Sequence, residues 1–168
     1  MHPFVIAQIT GTIAVMLSIA MYQFNDRRTM LIIDLFSSVF WALTFLELGA
    51  LTGLFIIIVA GVSNLLFIFI PPSKKNRWLL VLIILWMVAA TAFTWAGPAS
   101  LLAMSGAVLG VIRFWTTNTT TIRRLALAAP PFWLMYDLLT GNYPGIFIEV
   151  IALASNLVAQ YRFDMKKR

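Results

Sequence analysis

Apolar residues run along this chain in long blocks separated by short polar punctuation. Seven blocks stand out, at 3–22, 30–48, 51–70, 78–96, 98–116, 124–139 and 144–163. Most approach the roughly 20 residues that an α-helix needs to cross a hydrocarbon core. None alternates apolar with polar at a period of two, so helices are predicted and strands are not. The sixth block is the shortest, and Pro130-Pro131 interrupts it. The first has no basic stretch before it and exceeds the apolar core of a signal peptide, so it reads as a retained span. The pattern predicts an all-α membrane protein with seven transmembrane helices and no soluble domain.

Composition agrees, with 61% hydrophobic and 11% charged residues. A water-soluble domain with that balance would expose large apolar patches. Cysteine is absent, which excludes disulfides and thiolate chemistry. The single histidine, His2, stands at the N-terminus. No HExxH, Ser/His/Asp set, Walker loop or GxGxxG occurs, so no enzyme, metal or cofactor is expected.

Charge orients the spans. With seven crossings, Arg27, Arg28, Lys74, Lys75, Arg77, Arg113, Arg123, Arg124, Arg162, Lys166, Lys167 and Arg168 all fall on one side, which should be the cytoplasm. The N-terminus and the turns near Gly49, Gly97 and Gly141 then face outward, and the C-terminus lies inside. The net charge of +6 reports topology and contact with anionic lipid, with no need of nucleic acid. Trp78, Trp95, Trp115, Tyr22, Tyr143 and Tyr161 stand at span ends, as interfacial anchors do.

The sequence also repeats. At an offset of 92, residues 29–65 align without a gap on 121–157 with thirteen identities, where about four are expected by chance. The identities pair Trp41 with Trp133, Gly49 with Gly141, Gly53 with Gly145, Ser63 with Ser155 and Asn64 with Asn156. Two parallel three-helix bundles joined by a linker helix are predicted: a first bundle at 1–72, a loop and linker at 73–97, and a second bundle with a basic tail at 98–168. Parallel repeats place a substrate site near the midplane where the halves meet.

Gly53, Ile57, Ala60 and Asn64 share one face of the third span, and Gly145, Glu149, Ala152 and Asn156 share one face of the seventh. Asn64 and Asn156, with Ser63 and Ser155, either bind a solute or clasp the helices as buried amides do. Trp41 and Trp133 offer stacking walls or core packing. Glu149 lies inside the last span with Asp137 at similar depth. Either they couple flux to protons or cations, or Asp137 is solvated by headgroups and Glu149 bonds a hydroxyl such as that of Tyr143. Asp34 is a further coupling candidate or the partner of Arg27, Arg28 or Arg113, and Arg113 can snorkel to the interface. Pro130 and Pro131 make either a hinge or a static kink.

The segment FWLMYDLLTGNYPGIFIEVIALASNLVAQYRF, through Trp133, Gly141, Gly145, Glu149, Asn156 and Arg162, resembles the YgjV family of bacterial inner-membrane proteins. That resemblance implies a multi-pass protein of the inner membrane. The 3+1+3 arrangement resembles the SWEET sugar transporters and their PQ-loop relatives. In those, an asparagine on the third helix of each bundle faces the sugar, as Asn64 and Asn156 would. The hinge prolines of SWEETs have no counterpart inside the first or fifth span. The expected function is transport of a small polar solute, sugar-like or vitamin- or nucleoside-like, by alternating access. Two alternatives stand beside it: a non-transporting scaffold or receptor with a structural Asn pair, and a proton- or cation-coupled exporter using Glu149 and Asp137. Expected partners are membrane lipids and the solute, with self-association left open.

Overall fold

The computed structural model describes residues 2–21, 24, 27–116, 125 and 127–160, with side chains at all of these except 27, 155, 156 and 158–160. Seven helices form among them: α1 Pro3–Met21, α2 Arg27–Glu47, α3 Leu51–Phe69, α4 Arg77–Phe93, α5 Ala99–Trp115, α6 Pro130–Thr140 and α7 Tyr143–Gln160. No strand occurs among the described residues.

Their ends follow local chemistry. Proline opens α1, where its missing N–H costs nothing, and a proline pair opens α6. Pro71-Pro72 follows the end of α3. Two of the glycine turns are built alike. Gly49 (φ 67°) follows α2 and Gly141 (φ 72°) follows α6, each in the left-handed conformation that only glycine adopts without strain. One residue on, the N–H of Ala50 reaches the carbonyl of Phe45 at 2.9 Å, and that of Asn142 reaches Asp137 at 3.0 Å. This closure satisfies helix-end carbonyls, and it falls at positions that the sequence repeat equates.

The sixth span departs from its predicted extent of 124–139. Leu125, Leu127 and Ala128 are helical, but the chain bends at Ala129 and α6 counts only 11 residues from Pro130. The Ala129 N–H still bonds Leu125 at 3.1 Å. Pro130 and Pro131 have no N–H to give to the turn before them, so the helix cannot run straight.

Packing is sequential and then closes. α1 lies on α2, α2 on α3, α3 on α5, α5 on α6, α6 on α7, and α7 returns to α1, while α4 leans on α3 and α5. At the closure Gln8 Nε2 donates to the Gly141 carbonyl at 3.2 Å, and Pro144 packs on Gly11, where a Cβ would come within 3.0 Å of its ring.

The distribution of polarity is inverted relative to a soluble protein. Met16, Phe36, Phe69, Leu85 and Phe93 are exposed, whereas Ser37, Thr44, Thr52, Ser63, Asn64, Ser100, Asp137 and Asn142 are buried. Buried hydroxyls stitch helix to helix: Ser18 to Ser37 at 2.9 Å, Thr10 to Thr44 at 2.9 Å and Thr52 to Ser100 at 3.0 Å. Lipid supplies no hydrophobic drive between helices, so such bonds and small residues must hold them. Three helices, Pro3–Met21, Arg28–Glu47 and Leu51–Phe69, are long and apolar enough to cross a membrane, and the remaining apolar helices are shorter.

Candidate functional site

A cavity of about 200 Å³ lies inside the closed set of helices and is lined from every helix except α4. Most of the side chains singled out in the sequence meet there: Asp34 and Trp41 from α2, Ser63 and Asn64 from α3, Trp133 and Asp137 from α6, and Glu149 from α7. Pro130 lines it as well, and Pro131 is exposed on the other side of the bend. Ser155 and Asn156 belong to α7, but their side chains lie outside the described residues. Tyr22 and Tyr161 lie outside them too.

In the half of the cavity nearer the basic loops, Asn64 Nδ2 donates to Asp34 Oδ2 at 2.6 Å. A charge-assisted bond of that length is among the stronger ones available to neutral donors. The Asp34 carboxylate therefore takes the Asn64 amide as its hydrogen-bond partner. Arg113 acts on Asp34 by Coulombic attraction, and acts on Glu149 in the same way. Arg113 lines the cavity with its guanidinium 5.3 Å from the Phe114 ring. Ser63 is turned to its own helix, donating to the Ala60 carbonyl at 2.6 Å.

Aromatic rings fill the middle. Trp41 and Trp133 do not face each other across an empty gap. Phe45, only 2% exposed, stands between them, stacked 6.4 Å from Trp41 and 6.1 Å from Trp133. Tyr136 closes the group 5.7 Å from Phe45. The Tyr136 hydroxyl accepts the Gly53 N–H at 2.8 Å, a first-turn donor of α3 that has no partner within its own helix. The indole of Trp133 lies directly on α5, since a Cβ at Gly106 would stand 2.7 Å from it.

Near the Gly141 turn sits a second polar group. Asp137 is 3% exposed, which argues against one of its two expected settings, that of a group solvated among headgroups. Its Oδ1 accepts from Asn142 Nδ2 at 2.8 Å, and Asn142 Oδ1 in turn accepts the Gly145 N–H at 3.2 Å. Asn142 thus caps α7 and holds the acid with one side chain. A Cβ on Gly145 would overlap Asp137 Oδ2. Glu149 is half-buried, interacts with Asp137 through Coulombic repulsion, and makes no hydrogen bond to a described residue. Tyr143, its expected hydroxyl partner, is instead exposed, edge-on to Phe4 at 6.0 Å.

Trp78, Trp95 and Tyr143 are exposed at helix ends, whereas Trp115 packs on Phe67 at 5.2 Å. Among residues the sequence did not single out, Phe45, Tyr136 and Asn142 matter most. Asn142 had a legible signal, an Asn directly before a helix start with proline in its first turn. Phe45 had only its place opposite Asp137 in the repeat, and Tyr136 had none. Among the described residues, no three acidic or imidazole side chains converge as metal ligands.

An apolar exterior around a polar, hollow interior defines a helical membrane protein. The chain belongs to the Imp-YgjV family of bacterial inner membrane proteins, whose profile matches residues 5–167. Comparison with curated proteins gives no match, and comparison with solved structures gives none.

Proposed function

We propose that this protein carries a small polar solute across the inner membrane by alternating access between two pseudo-symmetric halves, residues 1–72 and 98–168, with α4 as the link. The observation that carries the proposal is the cavity itself, which both halves line with polar and aromatic side chains inside an apolar shell. Buried polar groups in a membrane interior are costly, and a hollow flanked by them is how a solute path is built. The order of packing supports the two-fold relation: α3 meets α5 and α7 meets α1, the contacts that exchanging the halves would interchange. In this proposal all seven helices span the bilayer, with the N-terminus outside and the basic loops in the cytoplasm.

Asp34 with Asn64, and Asp137 with Asn142, supply polar contacts on either side of the aromatic block, and the tryptophans supply flat walls. The scaffold reading draws on one specific observation, the Asn64–Asp34 bond, which alone would make Asn64 structural glue. Reconstitution with a panel of radiolabelled sugars, nucleosides and vitamins, comparing wild type with Asn64→Ala and Asn156→Ala, separates the two. Lost flux with unchanged thermal stability supports the carrier. Lost stability, with no flux of any solute in wild type, supports the scaffold.

A further inference from the structure

We infer that the solute is a monovalent organic cation with an ammonium head, held between the aromatic block and the Glu149 carboxylate. The inference rests on the carrier proposal and narrows its substrate class.

Three of the chain's six acidic residues, Asp34, Asp137 and Glu149, line this one cavity. Two of them are already engaged: Asp34 by the Asn64 amide and Asp137 by the Asn142 amide. Glu149 is not, for it faces the cavity without a hydrogen bond to any described residue. A carboxyl group so placed is costly to hold ionised, and a cation beside it is one way to offset that cost. Arg113 attracts both Asp34 and Glu149 from the far end of α5. Among the described residues, one guanidinium faces three carboxyl groups in the lining.

The walls discriminate among positive ligands. The carboxylates spread along the cavity rather than converging as metal ligands do. Trp41 and Trp133 bring indole rings to the lining, which attract a diffuse organic cation through their quadrupoles, an attraction that grows where water is excluded. Size agrees as well. The hollow of about 200 Å³ exceeds the roughly 150 Å³ engineered cavity that admits benzene, so an ammonium of choline size fits. Gly110 leaves open space on the α5 side, with no atom within 4 Å of where its Cβ would be.

The test compares choline with its neutral isostere 3,3-dimethylbutan-1-ol. Binding to the purified full-length protein is followed by tryptophan fluorescence and calorimetry. Wild type is expected to bind choline about tenfold or more tightly than the isostere, and Glu149→Gln is expected to abolish that preference. Equal binding of the two probes, no binding of choline, or a preference that survives Glu149→Gln overturns the inference. Should Glu149→Gln fail to fold, the wild-type comparison still decides. Flux of both probes in liposomes keeps the two proposals apart. Equal flux of both, blocked by Gly110→Phe, overturns the cation class and retains the carrier. Selective choline binding without flux of either probe retains the site and overturns the carrier.

Discussion

At the scale of single residues, Asn142 does the most with one side chain. It caps the first turn of α7 through Gly145 and holds the Asp137 carboxylate. Asn142→Ala removes both bonds and leaves a buried acid without its donor, at a cost of about 2 kcal/mol. Thermal unfolding in detergent should show the loss, and an unchanged midpoint would contradict the geometry. Tyr136→Phe asks less of the fold, since it withdraws one acceptor from the Gly53 N–H and keeps the aromatic contacts. A destabilisation of about 1 kcal/mol is expected, with solute binding retained when measured by calorimetry. Tyr136 shows where sequence reading stops. Asp137 and Glu149 were conspicuous as charges inside apolar blocks, but nothing in the spacing tells that Tyr136 reaches a backbone N–H 83 positions away.

At the scale of elements, the repeat is expressed in the turns. Gly49 and Gly141 take the same left-handed conformation after equivalent helices. No atom lies near a Cβ built on Gly49, so Gly49→Ala isolates the backbone term. It should destabilise by about 1 kcal/mol, as read from the unfolding midpoint, through φ alone. The bend before α6 is the element-scale asymmetry, because Ser38-Val39 continue α2 unbroken where Pro130-Pro131 interrupt its counterpart. Replacing both prolines by alanine restores two N–H donors. Thermal stability should rise, and flux in liposomes should slow if the bend takes part in switching; unchanged flux assigns it to static shape. Helix positions were legible because apolar block length tracks the bilayer. The break of the sixth span was legible from its prolines, though not the shortness of the helix that follows.

At the scale of the whole molecule, polarity is inverted: hydrophobic side chains lie outside and a polar hollow within, with two related halves around it in the proposed reading. That several marked residues share a cavity could be anticipated from helical faces, since Ile57, Ala60 and Asn64 on α3 and Gly145, Glu149 and Ala152 on α7 all line it. The wedge of Phe45 between the tryptophans could not, for it depends on how helices that are distant in sequence pack. The chain's lack of cysteine makes the central claim directly accessible. A single Gly110→Cys, placed where the cavity has room, can be reacted with a membrane-impermeant methanethiosulfonate reagent in intact cells and in inverted vesicles. The carrier account expects labelling from both sides and loss of flux once the thiol is modified. A thiol that stays unreactive from either face of the membrane would contradict it.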